Sequence, residues 1–161
     1  EFYAVKMLTT LLSQGKSSRM QKAIVDKLQK AAFVGAFPLS LEDPGIALVF
    51  GIANVGVTPT DLEESMNNQF EKVKKEIIPD YEFQKLRTQI ESEIVSDNSK
   101  MVGIAENLAN YHVYFKDANL INTEISRYMS VTPQDIQKAA QKYLTKENRV
   151  VLYYLPKNAQ K

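Results

Sequence analysis

The sequence predicts an α+β fold with helices packed on one face of a mostly antiparallel sheet. Two observations carry this. Residues 32–53 alternate with a period of two in two runs joined by a turn, while most of the remaining chain repeats at helical spacing. The strand-forming runs are also grouped rather than interleaved with single helices, which is the pattern of α+β and not of a parallel βαβ sheet. At 161 residues the chain is long enough to bury a core, and residues 1–161 are read as one domain.

The first helix is expected from Phe2 to Ser13, with Val5, Leu8 and Leu12 at helical spacing. Gly15 stops it, because glycine tolerates positive φ. Ser17 or Ser18 can cap a second helix, along which Met20, Ile24 and Leu28 recur every fourth residue. In the first strand Phe33, Gly35, Phe37 and Leu39 alternate with Ala32, Val34 and Ala36. Glu42-Asp43-Pro44-Gly45 reads as a tight turn. In the second strand Ile46, Leu48, Phe50 and Ile52 alternate with Ala47, Val49, Gly51 and Ala53. The product is an antiparallel hairpin with one bulky face and one small-residue face. The bulky face is expected under the helices, and the small face against a closely packed element or a cavity.

A third helix starts near Thr58-Pro59, where Thr60 and Glu63 have capping-box spacing. Its stripe is Leu62, Met66, Phe70, Val73 and Ile77. Pro79 separates it from a fourth helix with Phe83, Leu86, Ile90 and Ile94 in line. Ser96-Asp97-Asn98-Ser99 reads as a break before a fifth helix, whose stripe is Met101, Ile104, Leu108, Tyr111 and Phe115. A sixth covers Leu120 to Tyr128. Thr132-Pro133 caps a seventh with Ile136, Ala140 and Tyr143 on one side, and Arg149 to Leu155 is expected as a final strand.

Composition removes several function classes. Lys plus Arg total 20 against 19 acidic residues, a net charge of +1, without the basic excess of a dedicated nucleic-acid binder. There is no Cys, so disulfides, thiolate metal sites and cysteine nucleophiles are excluded. A single His excludes metal motifs that need two. No apolar run approaches the roughly 20 residues of a membrane span. Residues 1–15 lack the basic start and cleavage site of a signal peptide. The opening Glu1-Phe2-Tyr3, without Met or a cap, is expected of a fragment that starts in or just before a helix.

Searches for chemistry return little. Gly15-Lys16-Ser17 resembles the tail of a P-loop, but position 10 is Thr10 and the segment follows a helix. No G-x-S-x-G elbow is present. His112 would be the base of any triad, yet it sits mid-helix at the margin of the apolar stripe and is expected as a boundary or solvated residue. Glu63, Glu64, Glu71, Glu91 and Glu93 read as solvated helix faces, with Glu71 and Lys75 spaced as an i, i+4 pair. Tyr3, Tyr81, Tyr114, Tyr153 and Tyr154 stand outside the clear stripes and are available to an interface.

One resemblance goes further. Leu11-Leu12-Ser13-Gln14-Gly15-Lys16-Ser17-Ser18-Arg19-Met20 resembles the L-x-x-G-x-S-S-R-L segment of the pitrilysin/insulinase-like metallopeptidases. Asp43-Pro44-Gly45 between two strands, the V-T-x-x-D pattern opening the helix from Val131 to Leu144, and a strand from Arg149 to Pro156 follow in that family's order. Together they cover almost the whole chain. The resemblance implies two related α+β halves closing around a peptide. Zinc sits on an H-x-x-E-H motif in the first half, and the second half carries no metal. This sequence has no H-x-x-E-H, so it resembles the second, non-catalytic half in truncated form. No cofactor is implied in this chain, with zinc in the other half. The implied partners are a catalytic half, in the same protein or a paired subunit, and a peptide substrate, with no nucleic acid and no membrane span.

Gly15, Ser17, Ser18, Arg19, Asp43, Pro44 and Gly45 form the family's structural signature here. Active members often carry an Arg and a Tyr seven apart in this half. The aligned positions are Asp26 and Phe33. An Asp cannot donate to a peptide carbonyl as Arg does. No catalytic, substrate-binding or metal residue is therefore carried over; Asp26 is expected as a solvated helix position and Phe33 as a core strand residue. Two further functions stay open: a non-catalytic interaction or scaffold subunit of the same family, and an unrelated enzyme using His112. Bacterial periplasm or envelope and cytoplasm are both compatible with the sequence.

Overall fold

Helix α1 (Phe2–Ser13) is the axis of the fold. It buries Ala4, Met7, Leu8, Leu11 and Leu12 together with Thr9 and Thr10, and a helix buried on several sides must have neighbours on several sides. These are the strand Ala31–Leu39 and the helices Asp80–Asp97, Leu120–Met129 and Pro133–Tyr143. The computed structural model describes residues 1–39 and 45–155.

After α1 the backbone is extended at Gln14 and left-handed at Gly15, φ +82°. The Ser18 carbonyl accepts the Lys22 N–H and opens the next helix. The Ser18 hydroxyl, however, is buried without a hydrogen-bond partner, so the expected side-chain cap is not made. The helix winds as a π-helix over Gln21–Lys27. Met20 and Ile24 are buried, but Leu28 is exposed, because the helix ends there and Gln29 turns the chain at φ +52°.

Strands β1 (Ala31–Leu39) and β2 (Ile46–Ala53) pair antiparallel as expected, with Phe33 opposite Ile52, Gly35 opposite Phe50 and Phe37 opposite Leu48. An irregularity between Ala31 and Phe33 puts Ala31 on the same inner face as Val34, and both are buried. The expected orientation of the hairpin is reversed. Its small-residue face meets the helices and its bulky face is open. The reason is close approach. A Cβ at Gly51 would stand 2.4 Å from Met66 Cε and 3.2 Å from Leu62 Cδ2, so only a side-chain-free position lets α2 (Pro59–Lys75) lie this near the strand. Ser13 at the end of α1 donates to the Ala36 carbonyl (3.0 Å) and accepts the Ala36 N–H (2.6 Å), tying the helix end to β1.

Helix α2 is capped by Thr58, whose side chain accepts the Asp61 N–H, so the cap pair lies one half-turn before the expected Thr60 and Glu63. It ends at Lys75, which leaves Ile77 exposed and brings Ile78 into the core instead. Helix α3 (Asp80–Asp97) buries Phe83, Leu86 and Ile90 in line. Helix α4 (Met101–Phe115) departs from expectation: it is as apolar as a core helix but buries no residue. Helix α5 (Leu120–Met129) contributes Leu120 and Tyr128. Helix α6 (Pro133–Tyr143) has a full capping box, Thr132 with Asp135, and buries Ile136, Ala139 and Ala140. The expected final strand is not formed: residues 149–155 are irregular, and all of them but Arg149 are exposed. High β-propensity makes a strand only where a neighbouring edge completes the ladder. No described helix is long and apolar enough to cross a membrane.

Candidate functional site

The open side of the hairpin is an exposed apolar and aromatic face. Phe33, Phe37 and Phe50 are 49%, 42% and 44% exposed, flanked by Leu39, Ile46, Leu48 and Ile52 on the same face. The three rings form a cluster, with centroids 5.7 Å apart for Phe33–Phe50 and 6.2 Å for Phe37–Phe50. Phe50 lies over Gly35, where a Cβ would stand 2.6 Å from its ring. Scattered exposed apolar residues need no explanation, but a continuous patch of this kind marks a surface that meets something else.

The residues of the sequence signature are built into a joint between elements. Arg19 makes a fork-to-fork ion pair with Glu82 of α3, Nε to Oε1 at 3.0 Å and Nη2 to Oε2 at 2.6 Å, with both side chains mostly buried. Lys85 donates to the Ser17 hydroxyl, and Gln89 Nε2 lies 3.4 Å from the Gln14 carbonyl. These contacts pin the α1–π-helix turn to α3. Gly45 is exposed directly before β2. Asp43 and Pro44 lie outside the described residues.

Asp26 is exposed on the π-helix and accepts a 3.0 Å hydrogen bond from Gln21 Nε2. Phe33 is not a core residue as expected; it is part of the open aromatic cluster. His112 is exposed on α4. Among the described residues no group of three His, Cys, Asp or Glu side chains could hold a metal ion.

Two carboxylates expected on solvated faces have partners instead. Glu93 is half-buried and joins Lys6 Nζ (3.3 Å) and Gln14 Nε2 (3.1 Å) of α1 to α3. Glu63 accepts from Tyr153 and from Arg149 Nη2 at 2.7 Å, which fastens residues 149–153 to α2. The Tyr153 hydroxyl holds the Glu63 carboxyl below the usual carboxylate range, helped by Asn67 and the Arg149 charge. The spacing of residues along the chain carries no signal of these pairings, whose members are far apart in it. Glu71 pairs with Lys74 (2.8 Å) and, as expected, with Lys75 (3.6 Å).

Residues 1–90 match the family model described as the peptidase M16 inactive domain. The chain is 24% identical over 153 residues to the zinc protease PqqE of Helicobacter pylori, covering 95% of this chain and 34% of that protein. It thus spans about a third of the length of that relative. The fold is shared with the crystal structure of a Helicobacter pylori protease (TM-score 0.83, 24% identity, 89% of this chain and 34% of that one). It is also shared with the inactive peptidase domain of a Bordetella parapertussis protein (TM-score 0.85, 22% identity, 99% of this chain and 86% of that one).

Proposed function

The chain belongs to the family of peptidase M16 inactive domains, and from that premise we propose that it is the non-catalytic, substrate-enclosing half of a zinc peptidase. The open aromatic face of the hairpin carries this reading. A hairpin with helices on one side and an uncovered apolar wall on the other is suited to form one side of a chamber. Extended peptides present apolar side chains and backbone, and phenylalanine rings offer both broad contact and little charge to desolvate. Zinc and the water-activating glutamate belong, in this reading, to an H-x-x-E-H half in the same protein or in a paired subunit.

The alternative, a non-catalytic interaction subunit, draws on Asp26 and Phe33, which stand where active members carry Arg and Tyr. Asp26 forms no side-chain hydrogen bond or ion pair beyond Gln21 among the described residues, and Phe33 keeps a ring without a hydroxyl to donate. Combining the chain with the half that carries H-x-x-E-H, and following cleavage of quenched fluorescent peptides, separates the readings. The enclosing half gives cleavage only in the combination, with no stoichiometric zinc in this chain. Cleavage by this chain alone contradicts both readings, and a combination that is inert while a third protein co-purifies favours the interaction subunit.

A further inference from the structure

A second opening lies among α1, α3, α4 and α5, and no hairpin residue lines it. It is a cavity of about 160 Å³, well above the roughly 10–15 Å³ that a single water needs. Its walls carry three carboxylates, Glu93, Asp97 and Glu124, against the single ammonium of Lys6. Lys6 is engaged with Glu93 at 3.3 Å. Glu124 accepts the Tyr111 hydroxyl. The Asp97 carboxylate has no partner among the described residues, so the cavity keeps an excess of negative charge.

Tyr128 supplies the second observation. It is only 5% exposed, and its ring stands edge-on to Tyr3 at 4.7 Å. Its hydroxyl borders the cavity without a hydrogen-bond partner among the described residues. Burial first, and then the Glu124 charge, push this phenol above its ordinary range, so it stays protonated and able to donate or accept. The hydroxyl is the accessible tip of an otherwise buried side chain, and it is free to bond a ligand group in the cavity. Ile90 and Ile94 add an apolar floor. The carboxylates do not gather as a metal cage, since no three such donors among the described residues could share an ion.

We propose that this cavity binds an alkylguanidinium group, of the kind an arginine side chain carries. The planar fork of five N–H donors can reach two separated carboxylates at once, here Asp97 and Glu124. The half-buried Tyr111 ring on the wall suits its flat cation, and the isoleucine floor takes its methylenes. The site is independent of the chamber reading, because it shares no residue with the open face of the hairpin.

The test titrates the intact chain with N-acetyl-arginine methylamide and follows the tyrosine ring resonances and the heat of binding. N-acetyl-citrulline methylamide, equal in shape but uncharged, and N-acetyl-lysine methylamide are the comparisons. The arginine probe should bind saturably, shift the Tyr128 and Tyr111 rings, and exceed both comparisons by about tenfold. Asp97→Asn, on the exposed rim, and Tyr128→Phe, which keeps the packed ring, should each weaken it several-fold with the fold intact by circular dichroism. Glu124→Gln should act in the same direction. No saturable shift of Tyr128, equal binding of the citrulline or lysine probe, or unchanged affinity in both folded variants would overturn the assignment.

Discussion

Placing an aspartate at Phe37 should leave this chain folded, whereas an aspartate at Val34, three residues earlier on the same strand, should unfold it. Phe37 is 42% exposed and Val34 only 2%. Full truncation of a buried Phe costs about 3–5 kcal/mol. At roughly half that burial, Phe37→Asp forfeits about 2 kcal/mol, including its edge contact with Phe50, and the new carboxylate remains in water. Val34→Asp loses about 2 kcal/mol of apolar burial. It then strands a carboxylate in the small-residue interface under α1, without a cationic partner, at a further cost of several kcal/mol. The sum approaches the whole stability of an ordinary domain, about 5–15 kcal/mol. Loss of β-propensity is common to both changes and cancels from the comparison. Urea unfolding followed by far-ultraviolet circular dichroism reads the outcome directly. A Phe37→Asp chain as unfolded as Val34→Asp would place the bulky face in the core and refute the orientation of the hairpin.

Other perturbations probe the joint and the caps. Arg19→Gln should cost about 2 kcal/mol, because it removes a charged fork from a mostly buried pair and leaves Glu82 unmatched; a double-mutant cycle with Glu82→Gln should show coupling, and additive effects would mean the pair is idle. Gly15→Ala should cost about 1–2 kcal/mol in the same denaturation assay, since the position sits at φ +82° where a Cβ is strained and not for want of space. Thr132→Ala should destabilise α6 by about 1 kcal/mol. The Thr132 hydroxyl first, and its backbone N–H second, hold the Asp135 carboxyl below its ordinary value of 3.8. The folded value is lowered, so this contribution is present above pH ~3.8 and fades as pH falls further through the folded value. The difference between wild type and Thr132→Ala should therefore narrow in acid, and a constant difference down to pH 2 would remove the capping explanation.

The elements themselves were largely legible. The seven helical stretches of the described residues and the two hairpin strands follow from period and caps alone, because amphipathic spacing is local. What failed was the destination of apolar surface. Alternation in β1 and β2 says that the two faces differ, not which one meets the helices; that depends on Gly51 accepting Met66 and Leu62, a contact between separate elements. The stripe of α4 from Met101 to Phe115 predicts burial that the described fold does not give it. Arg149 to Leu155 has strand composition, yet it meets α2 only through Arg149 and Tyr153, on Glu63 and Asn67, and forms no ladder. The joint at Gly15–Arg19 was visible as a motif, but its anchors Glu82 and Lys85 lie more than sixty residues on and leave no local signal. The Tyr128 cavity gave none either, since Tyr128, Glu124 and Asp97 sit on two helices with unrelated spacing.

The most direct measurement is peptide cleavage by the chain combined with a half that carries H-x-x-E-H, comparing wild type with a Phe37→Asp, Phe50→Asp variant on the open face. If this face encloses substrate, the paired wild type cleaves and the variant, still folded and still paired, shows a KM raised about tenfold or more for an apolar peptide. Unchanged cleavage by the folded, paired variant would contradict the account and return the open face to some other partner.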